Sequence, residues 1–226
     1  MDDRTPLAGA RANERMTAVA SAALLPLLVV VVAATPRLDT LLTVHVFVGV
    51  VLIGPLAVKL GSVGYRFFGY YAGSPAYVRK GPPRRGLRLL AIPLVLTTVV
   101  IMVSGIGLLV VGPTDPRPFL FLHNATFVLW LPIAAIHVLA YVRRLPELVR
   151  EEWSRLGLRS GSVDLSAAAL LAGVIGAIAM LPITTPWASP GAYSQGLGGP
   201  VIAATVLTAI ALIAASVLAR TPAARS

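Results

Sequence analysis

The chain has 226 residues, of which 57% are hydrophobic and only 12% are charged. Soluble domains carry about 25% charged residues, so this composition excludes a soluble globular protein and indicates an integral membrane protein. The chain has no cysteine, which excludes disulfides, zinc–thiolate sites, cysteine-ligated iron–sulfur clusters and covalently attached c-type haem. In a chain this apolar, the net charge of +10 is expected to mark the cytoplasmic membrane face, and we expect no nucleic-acid partner.

Six apolar stretches are long enough to cross a bilayer as helices of about 20 residues. We expect the first to be a signal anchor, because it is too long for the apolar region of a signal peptide and lacks a clean cleavage site. The sequence therefore predicts an all-α, polytopic membrane helix bundle. The stretches are Met16–Ala34, Thr40–Leu60, Leu87–Val111, Phe119–Val142, Val163–Leu181 and Gly199–Ala219.

Basic residues are concentrated on one side of these stretches. Three lie in the first 15 residues, seven between residues 59 and 88, five between residues 143 and 159, and two at the C-terminal end, which makes 17 of the 19. Only Arg37 and Arg117 fall on the other side. Because cytoplasmic loops carry an excess of Lys and Arg, the sequence predicts six transmembrane helices with both the N and the C terminus in the cytoplasm.

The domain organisation follows from the same alternation. We expect a cytoplasmic tail, a four-helix membrane core, a cytoplasmic amphipathic connection, two further transmembrane helices and a short cytoplasmic tail. The connection is placed on the membrane surface because charged residues alternate there with Leu148, Trp153 and Leu156. In chain order these parts are residues 1–15, 16–142, 143–162, 163–219 and 220–226.

Ionisable side chains inside the apolar stretches are the strongest functional signal, because they are costly in a bilayer. Apart from Arg88 and Asp164, each at the edge of its stretch, only His45, Lys59, His123 and His137 lie there, and no other Asp or Glu does. Pumps and proton-coupled transporters usually need an intramembrane carboxylate, so its absence disfavours that class. A lone intramembrane histidine can also serve only as a hydrogen-bond partner between helices, which is the alternative to ligation.

His45 and His123 have matched positions in the second and fourth stretches. Both stretches are predicted to run inwards, and each histidine lies about 6–8 Å below the outer boundary. Two neutral imidazoles at one depth can ligate one iron from opposite sides, so the pair predicts an outer haem b. Arg37 or Arg117 could then meet its propionates. Small residues that would leave room for the macrocycle are Gly49, Ser104, Gly105 and Gly107.

The inner side of the bilayer offers half of a second site. Fourteen residues separate His123 from His137 and also His45 from Lys59, which is about 21 Å along a helix. His137 could hold a second haem iron, but no other histidine lies at its depth. Either a neutral Lys59 completes that site, or a charged Lys59 extends to the cytoplasmic interface and the protein holds one haem.

Several of these features resemble the prokaryotic membrane cytochrome b superfamily, which includes the haem-b subunits of membrane-bound hydrogenases and formate dehydrogenases. The resemblance rests on His45-Val-Phe-Val-Gly49, on Leu87-Arg88 through Ser104-Gly105-Ile106-Gly107, and on His123 with His137. It covers roughly residues 38–145. The chain is also similar to actinobacterial polytopic proteins of uncharacterised function with Tyr-Arg-Phe and Gly-Pro-Pro in the same loop. That superfamily often has four haem-ligand histidines, whereas this chain has three.

The resemblance implies a b-type cytochrome in the bacterial cytoplasmic membrane. Such proteins pass electrons between membrane quinone and a partner redox subunit, as part of a larger oxidoreductase. The expected ligands are His45 and His123, with His137 and Lys59 at a second site, and the expected partners are the lipid bilayer, a redox subunit and quinone. The alternative is a non-haem membrane protein, transporter-like or accessory, whose histidines bridge helices.

Overall fold

The computed structural model describes residues 5–81, 85–142, 150, 161–188 and 198–220. Within these ranges the chain forms α-helices and two short 3₁₀ turns and no strand, which confirms the all-α prediction. Most of the predicted connection at 143–162 lies outside them. The helices are α1 Thr5–Ala34, α2 Leu38–Tyr71, α3 Pro75–Lys80, α4 Arg85–Val111, α5 Arg117–Val142, α6 Gly161–Thr184 and α7 Gly198–Arg220, and the 3₁₀ turns are Thr35–Arg37 and Thr185–Ala188.

Five helical segments in these ranges are long and apolar enough to cross a membrane. Large apolar side chains lie on their outer surfaces; Leu89 is 72% exposed, Val110 80% and Phe121 75%. Exposed apolar surface on this scale is unfavourable in water and favourable in lipid. The protein is therefore a helical membrane protein. The segments are Gly9–Tyr71, Arg88–Val111, Arg117–Tyr141, Asp164–Trp187 and Gly198–Ser216.

The helices group into two compact units that do not follow chain order. The first unit contains α1, α2, α3 and α6, and the second contains α4 from Leu89 onwards, α5 and α7. The chain passes from the first unit to the second, returns to the first for α6 and ends in the second.

In the first unit, α1 and α2 form an antiparallel hairpin around the 3₁₀ turn Thr35–Arg37. Near the turn, Val31 contacts His45, and at the far end Asn13 contacts Ser62. The backbone of Leu41 (φ −109°, ψ 16°) departs from helical geometry as α2 begins. The longest apolar segment, Gly9–Tyr71, thus reverses direction in its middle.

Both hairpin helices extend about eleven residues beyond their predicted spans, to Thr5 and to Tyr71. Polar bonds between the helices hold these extensions together. The Asn13 amide donates to the Ser62 carbonyl at 3.0 Å, and the Ser62 hydroxyl lies 2.9 Å from Asn13 Oδ1. Thr17 also contacts the Ser62 hydroxyl. Apolar periodicity does not register such bonds, so the predicted spans are shorter than the helices that contain them.

Helix α3 folds back on the end of α2. A Cβ atom at Gly69 would lie 2.7 Å from the Tyr77 ring, so glycine is needed for this close approach. Tyr77 is buried, and its ring meets that of Tyr65 edge-on at 6.0 Å between centroids. Burial, followed by the neighbouring Tyr65, raises the pKa of the Tyr77 phenol. The chain reverses at Gly73, whose φ is +76°.

Helix α6 packs antiparallel against α2 through glycines on both helices. A Cβ atom at Gly54 would overlap the backbone carbonyl of Ala169, and one at Gly173 would lie 2.5 Å from the Val51 carbonyl oxygen. Small residues allow membrane helices to approach closely, where van der Waals contact stabilises their association. Next to Gly54, Pro55 is almost completely buried.

In the second unit, α4 and α5 are antiparallel, and residues 98–107 of α4 contact residues 119–130 of α5. The ring of Phe119 occupies the position that a side chain at Gly107 would take. Deeper in the pair, the buried Trp130 indole donates a 2.9 Å hydrogen bond to the Thr98 hydroxyl. Helix α7 packs on α5. The contacts of Phe119 with Gly107 and of Trp130 with Thr98 fix the register of α5 against α4.

The glycine contact between α2 and α6 gives a direct test of this packing. We expect Gly54→Ala to destabilise the protein by about 1–3 kcal/mol, because the new methyl group must push the α6 backbone away. The measurement is the thermal unfolding midpoint in detergent, followed by circular dichroism. Gly61→Ala is the matched control on the same helix, since a Cβ atom there meets nothing within 4 Å. Equal midpoints for the two variants would contradict the packing.

Candidate functional site

His45 lies near the start of α2, half-buried against α1. Its Nδ1 atom is 3.2 Å from the backbone carbonyl oxygen of Val31. The hydroxyl of Thr35 lies 3.5 Å from the same nitrogen, a longer and weaker contact. The α1–α2 hairpin therefore fixes one side of the imidazole.

His123 lies near the start of α5, half-buried against α4. Its Nδ1 atom is 3.1 Å from the carbonyl oxygen of Ile101 and 3.1 Å from the hydroxyl of Ser104. Ser104 has no exposed surface. The α4–α5 pair therefore fixes this imidazole in the same manner as the first hairpin fixes His45.

The shared arrangement determines the chemistry of both rings. A backbone carbonyl can only accept, so the Nδ1 atoms of His45 and His123 carry the proton and donate it to Val31 and Ile101. When an imidazole with this Nδ1 proton is neutral, its lone pair lies on Nε2. Metal-ligating histidines commonly donate their other N–H to a carbonyl, which fixes the ring and increases the basicity of the ligating nitrogen.

Two glycines provide space beside these histidines. A Cβ atom at Gly105 would lie 3.2 Å from His123 Cε1, so a larger residue would crowd the imidazole. Gly49 follows His45 by one helical turn, and a Cβ atom there would meet nothing within 4 Å. The donor set and the open space beside Gly49 both fit a haem ligated through Nε2.

His137 lies near the end of α5, on the same continuous helix as His123. Its ring lies 4.8 Å from that of Tyr141, between centroids, at an interplanar angle of 42°. At 1.5 Å per residue the two histidines are separated by about 21 Å along the helix axis. One helix therefore carries both histidines at well-separated depths.

Lys59 lies on α2, fourteen residues after His45. It falls at helical spacing between Pro55 and Ser62, both of which are buried. Lys59 itself is half-buried. The residue is therefore on the packed side of α2, where an extended side chain has less direct access to the interface than it would on the lipid-facing side.

Arg37 and Arg117 are the two basic residues that the sequence predicts on the outer side, and each lies at or just before the start of a helix. Arg37 closes the 3₁₀ turn before α2 and is exposed. Arg117 begins α5, with its guanidinium 3.6 Å from the Asp115 carboxylate in a highly exposed pair. Exposed ion pairs of this kind contribute little stability, so the contact with Asp115 is not evidence that Arg117 has a structural role.

The histidines are distributed over both compact units. His45 and Lys59 belong to the first unit, and His123 and His137 to the second. The joining of His45 with His123 across one haem, and of Lys59 with His137 across another, stays a prediction from the sequence.

The sequence did not predict the role of two hydroxyls. Ser104 was expected only to leave room for the macrocycle, and no role was expected for Thr35, yet both contact a histidine Nδ1 atom. Counting outwards from the turn between α4 and α5 could have found Ser104, because Ser104 and His123 lie at nearly equal distances from Val111 and Arg117, the helix ends that flank the turn. The same count does not find Thr35, which lies in the 3₁₀ turn itself.

Comparison of the chain with protein-family models, with curated proteins and with solved structures gives no match.

Proposed function

We propose that the protein is a b-type cytochrome of the bacterial cytoplasmic membrane, with one haem b held by His45 and His123. The observation that supports this most directly is the common state of the two imidazoles. Each donates from Nδ1 to a helix carbonyl, and in the neutral form this tautomer has its lone pair on Nε2. Two such nitrogens are the donor set that a bis-histidine haem requires.

The residues around the histidines would prepare the site before the cofactor binds. The carbonyls of Val31 and Ile101 hold the rings in one orientation, and Gly105 leaves room for the His123 ring. Bound haem would supply a one-electron carrier within the membrane. The protein would then serve as an electron-transfer subunit between membrane quinone and a partner redox protein, with Arg37 or Arg117 available for the propionates.

We further propose six membrane crossings with both termini in the cytoplasm. Gly9–Tyr71 is one of five apolar segments but contains the antiparallel pair α1 and α2, which supports counting it as two crossings. Helix α6 is antiparallel to α2, as expected if α4 and α5 each cross once between them. The distribution of 17 of 19 basic residues supports the orientation.

At the inner side the proposal leaves two arrangements. His137 with a neutral Lys59 could ligate a second haem, or Lys59 could remain charged at the interface. Three histidines supply one complete pair and half of another, which favours a single haem. The position of Lys59 between buried Pro55 and Ser62 supports the arrangement in which it ligates a second haem with His137.

A non-haem membrane protein is the second candidate, and the same hydrogen bonds favour it. His45 and His123 each join two helices, which is what a structural histidine does in a membrane. In that case the protein would be transporter-like or an accessory subunit. Replacing the imidazole by a group that keeps the hydrogen bond but cannot ligate haem iron separates the two candidates.

The haem proposal predicts a coloured protein. Purified from haem-replete cells, it should show a reduced-minus-oxidised α band and a pyridine haemochrome spectrum at about one haem per chain. His45→Ala and His123→Ala should each abolish haem binding. His123→Gln is the matched variant, because its amide can still donate to Ile101 while the ligand is lost. It should remain folded and colourless; a colourless wild type would favour the non-haem alternative.

The topology predicts external positions for the turns between crossings. Reporter fusions at Gly112, between α4 and α5, and at Gly191, before α7, should both be active on the outer side of the membrane. A fusion after Ser74, beyond the end of α2, is the control and should remain cytoplasmic. Cytoplasmic activity at Gly112 or Gly191 would contradict six crossings in this orientation.

The inner site is tested by two substitutions. If a second haem exists, His137→Ala should lower the haem content from two to one per chain and leave the outer haem spectrum unchanged. Lys59→Met should either lower the haem content or change the spectrum of the inner haem, because methionine can itself ligate haem iron. We expect the other result, namely one haem in the wild type and no loss in either variant. Loss of one haem in both variants would establish the Lys59–His137 site.

A further inference from the structure

Two hydroxyls form the same three-way contact in different hairpins. Thr35 donates to the Val31 carbonyl at 2.9 Å, and the carbonyl also accepts from His45. Ser104 donates to the Ile101 carbonyl at 3.1 Å. That carbonyl is likewise the partner of the histidine on the facing helix.

The directions of these bonds determine what the hydroxyls can do for the histidines. Because each hydroxyl proton points to a carbonyl, the oxygen lone pairs remain to accept from the nearby Nδ1–H group. Each Nδ1 proton is thus shared between a carbonyl and a hydroxyl. A side-chain substitution cannot remove the carbonyl, because it is part of the backbone. It can remove the hydroxyl, which is the other acceptor of the Nδ1 proton.

Two other hydroxyls in the described part of the chain bond carbonyls of their own helix. Serine and threonine in helices often bond the carbonyl three or four residues back, without further function. Thr97 on α4 donates to Pro93 at 2.6 Å, and Ser21 on α1 donates to Thr17 at 2.6 Å, in bonds internal to their own helices. The histidine contact therefore distinguishes Thr35 and Ser104 from a general feature of helix hydroxyls.

We propose that Thr35 and Ser104 are positioning residues for the haem ligands, orienting the His45 and His123 rings and setting how strongly they donate to iron. This inference rests on the proposed function. An acceptor on Nδ1–H increases the basicity of the ligating nitrogen, which favours ferric over ferrous iron. The two hydroxyls thus keep the reduction potential of the haem lower than the carbonyls alone would.

The distances rank the two residues. Ser104 lies 3.1 Å from His123 Nδ1, whereas Thr35 lies 3.5 Å from His45 Nδ1. A hydrogen bond weakens as the distance between donor and acceptor increases, so the contact at 3.5 Å is the weaker of the two. Ser104 should therefore have the larger effect.

The experiment is a redox titration of the purified wild type and variants in lipid nanodiscs, with electron paramagnetic resonance of the oxidised haem. Ser104→Ala should shift the midpoint potential to more positive values and alter the low-spin g values, at an unchanged haem-to-protein ratio. Thr35→Val should give a smaller shift in the same direction. Thr35→Ser, which keeps the hydroxyl, should restore the wild-type potential.

Thr97→Val and Ser21→Ala are matched controls, since each removes a hydroxyl that bonds only within its own helix; both should leave the potential and the g values unchanged. If Ser104→Ala does not fold, the comparison of Thr35→Val with Thr35→Ser decides. Wild-type potentials and g values in Ser104→Ala and Thr35→Val, with haem still lost in His45→Ala, would overturn this inference alone. A wild type without haem would overturn the proposed function and this inference with it.

Discussion

A polar group inside a bilayer must find its partner within the protein, because lipid tails offer none. That requirement organises the interior of this protein. The imidazoles of His45 and His123 donate to carbonyls on facing helices, and the indole of Trp130 donates to Thr98. Each bond joins two helices and fixes their register. In the absence of a strong hydrophobic force between helices, such bonds and close glycine contacts decide which helices pair.

The same bonds have a second effect on the histidines. An imidazole that donates from Nδ1 to a carbonyl has its tautomer and its orientation set at once. The hydrogen bond that joins the two helices therefore also orients the histidine as a ligand, at His45 and again at His123. This explains why a purely structural histidine and a haem ligand look alike at this level, and why ligand content rather than geometry separates the two candidate functions.

Much of the fold could be predicted from hydropathy alone, because membrane helices are long uninterrupted apolar runs. The ends of the helices could not. Helices α1 and α2 continue past Met16 and Leu60, through polar residues that bond to one another across the hairpin. A periodicity argument treats Asn13 and Ser62 as the start of a loop, whereas in the folded protein they are buried partners.

The candidate site was predictable in a similar, partial way. The histidines could be identified because ionisable side chains are costly inside a bilayer and all three histidines of the chain lie in apolar stretches. The hydroxyl of Thr35 could not be recognised from composition, because its contact with His45 depends on where the 3₁₀ turn reverses the chain. The grouping of α6 with α2 was equally inaccessible, since it depends on the steric fit of Gly54 and Gly173 to a distant backbone.

That grouping also constrains how the protein is made. Helix α2 is synthesised well before α6, and α4 and α5 emerge between them. During that interval the α1–α2 hairpin must remain in the membrane with the glycine surface at Gly54 covered only by lipid or by the insertion machinery. The first unit can close only when α6 enters the bilayer, after the second unit has begun to form. Assembly of the two units is therefore interleaved in time, and a ribosome stalled before α6 would leave a hairpin that lacks its third helix.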